Sequence, residues 1–401
     1  MSLPQPSAAA DRAVRLVALA LLAAPAGPLL GAELYLDGRL GQSFEYDDNI
    51  DLVPGGGESA FGSRTTVGAT LGVRTPASNY ALSSDFRLVR FFTDTDLDSE
   101  DVDVDALGSW EWPRTSLRLE AGVTRDTTRE LRDIDAGVFV AENEERLTVR
   151  ASSALSHRFT PLQTGGLNLG FTRQLYPDLD GAELAALGLD EFSHFRANAT
   201  WGQQVARNLT FLGLLGGSYF DSDRQETTAL QGQLGARYGL TPALDISGTI
   251  GPSVAFTDVE EPVARSDTEV AAVWDVNLDY RPSADASVAL GLFQQFDPSA
   301  TGELNLRTGI TVGFEYALTR YTLFSLPALI QRQEPVEGVT DTRYFARVQP
   351  TLGYQVLPQL RFETSYRFRW ESFDDGDIDD ATSNAIFLNL RYDLPSLLTS
   401  R

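Results

Sequence analysis

Arg361, Glu363, Ser365, Arg367 and Arg369 occupy alternate positions of the stretch Leu360 to Trp370. Alternate residues of an extended chain share a face. Three guanidiniums and a carboxylate on one face can bind anions, pair with one another, or charge the wall of a pore. Elsewhere Arg39, Arg87, Arg118, Arg150, Arg196, Arg307 and Arg347 stand in similar rows, with Asp37, Glu45, Asp85, Glu120, Asp275 and Glu315. Two uses stand equally open. One is a lining that favours anions or acidic sugars. The other is internal ion pairing that fills and stiffens an interior.

Other chemistry is thinly supplied. The chain has no Cys, one Met and two His, which excludes disulfides and leaves little for a soft-metal site. His194 follows Ser193, but neighbours on a strand point to opposite faces, so they make poor dyad geometry. His157 falls on an outward face by parity. The chain reads as a non-enzyme without cofactors. Acidic runs occur at Asp94, Asp96, Asp98, Glu100 and Asp101, and at Asp374, Asp375, Asp377, Asp379 and Asp380. Spaced carboxylates can hold Ca²⁺, but neither run has the ligand order and closing Glu of an EF-hand loop. They read as a solvated acidic rim that shares divalent ions with lipopolysaccharide.

The elements carrying these residues are strands. In Leu360 to Trp370 the other face holds Leu360, Phe362, Thr364, Tyr366, Phe368 and Trp370. Nearly every segment repeats the pattern, and none offers a helical layer to cover the apolar face. That face then needs lipid as its solvent. The expected fold is all-β: a transmembrane, antiparallel, up-and-down barrel of about 18 strands, with 16 as the runner-up and both termini periplasmic. Longer polar connections alternate with short turns, the asymmetry of outer loops and periplasmic turns. The segment Thr128 to Glu142 is the third outer loop. General porins fold their third loop inward, but an external loop is at least as well supported here.

Composition agrees. The 401 residues carry a net charge of −24, which argues against nucleic acid, and all 32 basic residues are Arg. The mean hydropathy is slightly negative, as expected when only alternate strand residues meet lipid. Residues 1–32 read as a signal peptide, with Arg12 and Arg15 before the apolar Val17 to Ala24 and cleavage after Ala26 or Ala32. Residues 33–401 form the barrel. Tyr35, Tyr46, Trp110, Trp112, Trp201, Tyr316, Trp370 and Tyr392 stand near strand ends, where interface girdles form. An inward ring such as Phe345 could stack on a sugar.

Phe44, Glu45, Tyr46, Asp47, Asp48, Asn49 and Ile50 close the first strand. This segment resembles the opening of the β-barrel porin type 2 family, some of whose members are associated with exopolysaccharide systems. The resemblance implies an outer-membrane pore, paired in some members with a periplasmic polysaccharide-export partner. Asp48 and Asn49 suit a turn equally well. The reading preferred from sequence is a Gram-negative outer-membrane channel exporting a polysaccharide. The alternatives are a general or anion-leaning diffusion porin and a structural or adhesion barrel with acidic surface loops. The expected surroundings are outer-membrane lipid and lipopolysaccharide, without nucleic acid.

Overall fold

The computed structural model describes residues 32–93, 95–129, 143–259, 265–299, 303–335, 342–374 and 379–395. The proposed signal segment, Asp94, Asp375, Asp377 and most of the third outer loop lie outside these residues. The strands are β1 (Glu33–Asp47), β2 (Ala60–Arg74), β3 (Ser78–Phe91), β4 (Ser99–Glu111), β5 (Thr115–Thr127), β6 (Glu145–Thr160) and β7 (Gln163–Leu175). After helix α1 (Gly181–Leu187) come β8 (Phe192–Ala206), β9 (Leu209–Ser222), β10 (Gln225–Thr241), β11 (Leu244–Val259), β12 (Arg265–Ser283) and β13 (Ala286–Pro298). The last are β14 (Leu304–Thr319), β15 (Thr322–Pro335), β16 (Arg343–Val348), β17 (Thr351–Leu357), β18 (Leu360–Phe373) and β19 (Ala381–Leu394).

Each strand pairs antiparallel with its neighbours, and β1 pairs with β19 from Gly38↔Leu394 to Asp47↔Ala385, so the sheet closes. The 19 segments make 18 strands around the wall. The sequence reads Thr342 to Val356 as one strand; Pro350 divides it, because proline has no N–H for the ladder. Both pieces still lie between β15 and β18. Gln349 N donates to Pro327 O at 3.0 Å and Tyr366 N donates to Pro350 O at 3.1 Å, so the division leaves no gap.

One chemical device recurs at the short turns. Thr75 Oγ1 accepts from Ser78 N at 2.9 Å, Thr160 Oγ1 from Leu162 N at 3.3 Å, Thr241 Oγ1 from Ala243 N at 3.2 Å and Thr319 Oγ1 from Tyr321 N at 3.1 Å. The hydroxyl answers an N–H that the ladder leaves over, so each strand ends where its Thr stands. At the other end, α1 is closed by a capping box. Asp180 Oδ1 accepts from Ala182 N and Glu183 N at 2.9 Å, and Glu183 Oε2 accepts from Asp180 N at 2.8 Å.

The ladder register sorts the side chains into two rows. The outer row carries Leu40, Phe44, Leu71, Phe86, Leu234, Ile250, Ile330 and Leu388, all exposed. The inner row is polar. Only a concave face allows contacts across a chord: Arg196 of β8 lies 3.8 Å from Asp297 of β13, with β9 to β12 between them along the wall. A closed barrel with an apolar outer row, short turns at one end and longer loops at the other is a barrel of the bacterial outer membrane.

The wall is not uniform. Strands β12 and β13 pair only from Trp274↔Gln294 down to the turn at Ser283↔Ala286. Above Trp274, β12 stays with β11 and β13 stays with β14. Leu304 and Phe296 belong to the outer row by register, yet they pack on Phe192 and Phe220 of the inner row. The loop end of the β13–β14 hairpin therefore bends into the lumen.

Candidate functional site: the polar lumen

The inner row holds the arginines and carboxylates in short ladders. Arg39 of β1 reaches Asp85 of β3 across β2, with Nε to Oδ1 at 2.8 Å. The bridge passes over Gly68, where a Cβ would lie 2.2 Å from Asp85 Oδ1. Arg150 of β6 reaches Asp103 and Asp105 of β4 in the same way, both at 3.1 Å, over Gly122. Glycine is needed at both places because the bridge occupies the space of a side chain. Arg87 lies 3.7 Å from Asp101, Arg118 pairs with Glu120, and Arg361 Nε donates to Glu363 at 2.7 Å. Arg307 contacts Asp297 at 3.2 Å and Gln331 at 2.9 Å.

By register Asp37, Asp275, Glu315 and Arg347 stand in the same inner row. Asp275 accepts from Asn277. Tyr35 also stands in this row and not in a membrane girdle: it covers Gly72 and Arg74 stacks on its ring at 5.4 Å. Trp110 is enclosed, with Nε1 donating to Tyr80 at 2.8 Å. His194 is buried against Phe220, so no nucleophile–base pair forms there.

The segment Phe44–Ile50 ties β1, β18 and β19 together at the loop end. Asp47 is fully buried. Its Oδ2 accepts from Arg367 and Arg369 at 2.9 Å, and its Oδ1 accepts from Ser383 Oγ at 2.7 Å. Asp48 takes Asn384 N at 2.7 Å and Nδ2 at 2.8 Å. Asn49 Nδ2 donates to Val53 O and Thr382 O at 2.9 Å. Arg369 also donates to Ile50 O at 3.1 Å. The first loop is thereby drawn inward. Ile50 packs with Val89, Phe91 and Leu97 on one side, and Leu52 packs with Phe345 and Ala381 on the other. Leu52 has φ 50, a conformation a branched residue holds only where its surroundings fix it. Phe345 is covered by this loop and offers no open ring to a sugar.

Beneath the loop is a chamber of about 440 Å³. Its lining includes Arg39, Arg64, Arg129, Arg367, Arg369 and Arg391, six arginines against the carboxylates Glu45 and Glu363. Arg129, at the start of the third outer loop, stacks on Phe91 at 4.8 Å and lies 4.0 Å from Glu45. Sequence reasoning omitted Arg64, Arg129 and Arg391. Parity with Thr66 and Asn389 is the signal that places Arg64 and Arg391 in the inner row. The described acids of the two acidic runs are drawn into local bonding in part: Asp98 accepts from Phe91 N at 2.7 Å and Asp380 from Trp370 Nε1 at 3.1 Å. Among the described residues no cluster of metal-binding side chains forms.

At the outer rim, burial pushes the Asp190 carboxyl up to about 6, and the neighbouring Asp223 charge adds to the rise. Arg224, 3.9 Å away, offsets part of it.

Solved barrels are similar in fold. The FrpB iron transporter of Neisseria meningitidis (F5-1 variant, apoprotein form) matches 91% of this chain and 82% of its own at 8% identity, with a TM-score of 0.50. Pseudomonas aeruginosa OccK3 (OpdO) matches 91% of this chain and 96% of its own at 12% identity, with a TM-score of 0.47. Pseudomonas aeruginosa OccK2 (OpdF), solved in complex with glucuronate, matches 90% and 98% at 12% identity, with a TM-score of 0.47. At these identities the likeness concerns the fold alone. No protein-family model and no curated protein matches the chain.

Proposed function

We propose that this barrel is a passive outer-membrane channel with an anion-leaning lumen. The observation that carries the reading is the chamber under the first loop, where six arginines meet Glu45 and Glu363 in the lining and Asp47, Asp85 and Asp393 beside it. Guanidinium forks bind carboxylate, phosphate and sulfate in two-point contacts, so an arginine-rich wall raises the local concentration of anions. Arg39 and Arg391, though each bonds to a carboxylate (Asp85 and Asp393), keep about half of their side-chain surface exposed and are the ones a solute meets. The solute class is small and acidic, with acidic sugars the best fit. Liposome swelling tests this. Acidic monosaccharides should enter faster than neutral ones of the same size, and equal rates would overturn the reading.

Polysaccharide export is the second reading. A row of amides and hydroxyls on the opposite wall favours it: Asn198, Gln231, Gln233 and Thr249 are linked in sequence by hydrogen bonds of 3.3, 3.2 and 2.6 Å. Such a row suits a hydroxyl-rich chain. Surface and secreted polysaccharide in a deletion strain tests it. Loss of polymer, restored by the intact gene, supports export and a periplasmic partner; unchanged polymer sinks it.

A further inference from the structure

Among the described residues the bent β13–β14 hairpin splits the loop end of the wall between β12 and β13. Above Trp274↔Gln294 the described residues of β12 and β13 share no ladder pair. Two edge groups have side-chain partners instead: Gln294 Nε2 donates to Ala272 O at 2.6 Å, and Thr268 N donates to Asp267 Oδ1 at 2.6 Å. Such partners mark a built edge, because backbone groups at membrane depth need an answer.

The opening lies at the depth of lipid. Tyr280, on the outer row near the turn, marks the periplasmic interface. From Tyr280 to Trp274 the strand climbs about 15 Å, at a rise of about 3.3 Å per residue and a tilt of about 40°. The apolar band of a barrel is about 25 Å tall, so the split opens into the outer leaflet. Beside it Val270 and Ile250 are 69% and 62% exposed on the outer row.

Behind the split is a cavity of about 280 Å³. It takes lining from both rows of the sheet: Gln231, Gln233 and Ser253 from the inner row, Trp274, Gln294 and Phe296 from the outer. Its charged groups are Arg196, 3.8 Å from Asp297, and Asp275, bonded to Asn277. The rest is mostly amide, hydroxyl and aromatic, with Leu214 and Ala229 as aliphatic contacts. One cation and one carboxylate leave the lining without net charge, so neither sign of head group is favoured, whereas a sugar would find amide donors and acceptors for its hydroxyls and rings for its apolar face.

We infer that the split between β12 and β13 is a lateral site for a membrane amphiphile with an uncharged, polyhydroxylated head, which enters the cavity while the chains stay in the outer leaflet. This does not depend on axial conduction. Trp274, at the base of the split, reports occupancy. The protein is reconstituted in phosphatidylcholine nanodiscs and titrated with a brominated-chain alkyl maltoside or the matching brominated-chain phosphocholine. The maltoside should produce a saturable quenching component that the phosphocholine lacks. Trp274→Phe should abolish that component. Gln231→Leu with Gln233→Leu should weaken it about tenfold, with the barrel still folded by heat-modifiable migration on gels. Equal quenching by both head groups, or a selective component that survives Trp274→Phe, overturns the inference. A stable dimer that excludes the maltoside also overturns it, in favour of strand addition along the edge of β12.

Discussion

Arg369 of β18 and Asp47 of β1 meet across β19, with Nη2 to Oδ2 at 2.9 Å and both side chains almost fully buried. Ser383 of the intervening strand bonds to both. The contact spans the seam where the chain's two ends close the barrel, and it fixes the start of the first loop.

Asp47→Asn should therefore release that loop. Two guanidiniums, Arg367 and Arg369, would lose their shared carboxylate, which for a buried pair costs about 3–5 kcal/mol. The unfolding midpoint in denaturant should fall, and single-channel conductance should rise as Ile50 and Leu52 leave their seats. A variant with unchanged stability and conductance would show that the loop is held by its apolar contacts alone.

Gly68→Val should break the Arg39–Asp85 bridge that crosses over it, since even a Cβ meets Asp85 at 2.2 Å and Arg39 Nε at 2.6 Å. The freed Arg39 lines the chamber and Asp85 does not, so the chamber gains positive potential. Anion preference, read as a reversal potential, should increase while the barrel stays folded. A shift toward cations would contradict this.

Neutralising Arg39 and Arg391 together should move the reversal potential toward cations. Arg361→Gln should do less, because Arg361 does not line the chamber. Arg367 and Arg369 are poor tests of selectivity, since their removal unseats the first loop. Unchanged selectivity in the Arg39/Arg391 double variant would take these side chains off the permeation path.

Asp190 gives a pH signature. Its folded value, about 6, lies above the ordinary 3.8, so the folded protein holds this proton more tightly than the unfolded chain does. The contribution to stability is full below 3.8 and is lost as pH rises to about 6. Asp190→Asn should flatten stability across that window and raise it at neutral pH. A wild-type curve already flat there would refute the assignment.

Alternation made much of this legible in the sequence. The period of two fixes which residues share a row, so Arg39, Arg150 and Arg367 are separable from Leu40, Val149 and Phe368 without a structure. The partner across two strands is not legible, because Asp85 and Asp105 become neighbours of Arg39 and Arg150 only through register and an intervening glycine. The role of Asp47 is not legible either, since its partners lie more than 300 positions away. Parity also misplaces Leu304 and Phe296. It says which side of the sheet they leave, not that the hairpin carrying them has turned into the lumen.

The most direct measurement is conductance of the purified barrel alone in a planar bilayer across a KCl gradient. The account predicts discrete openings, without any partner, and a reversal potential on the anion side. A barrel that inserts and stays silent, or one that prefers cations, would contradict it.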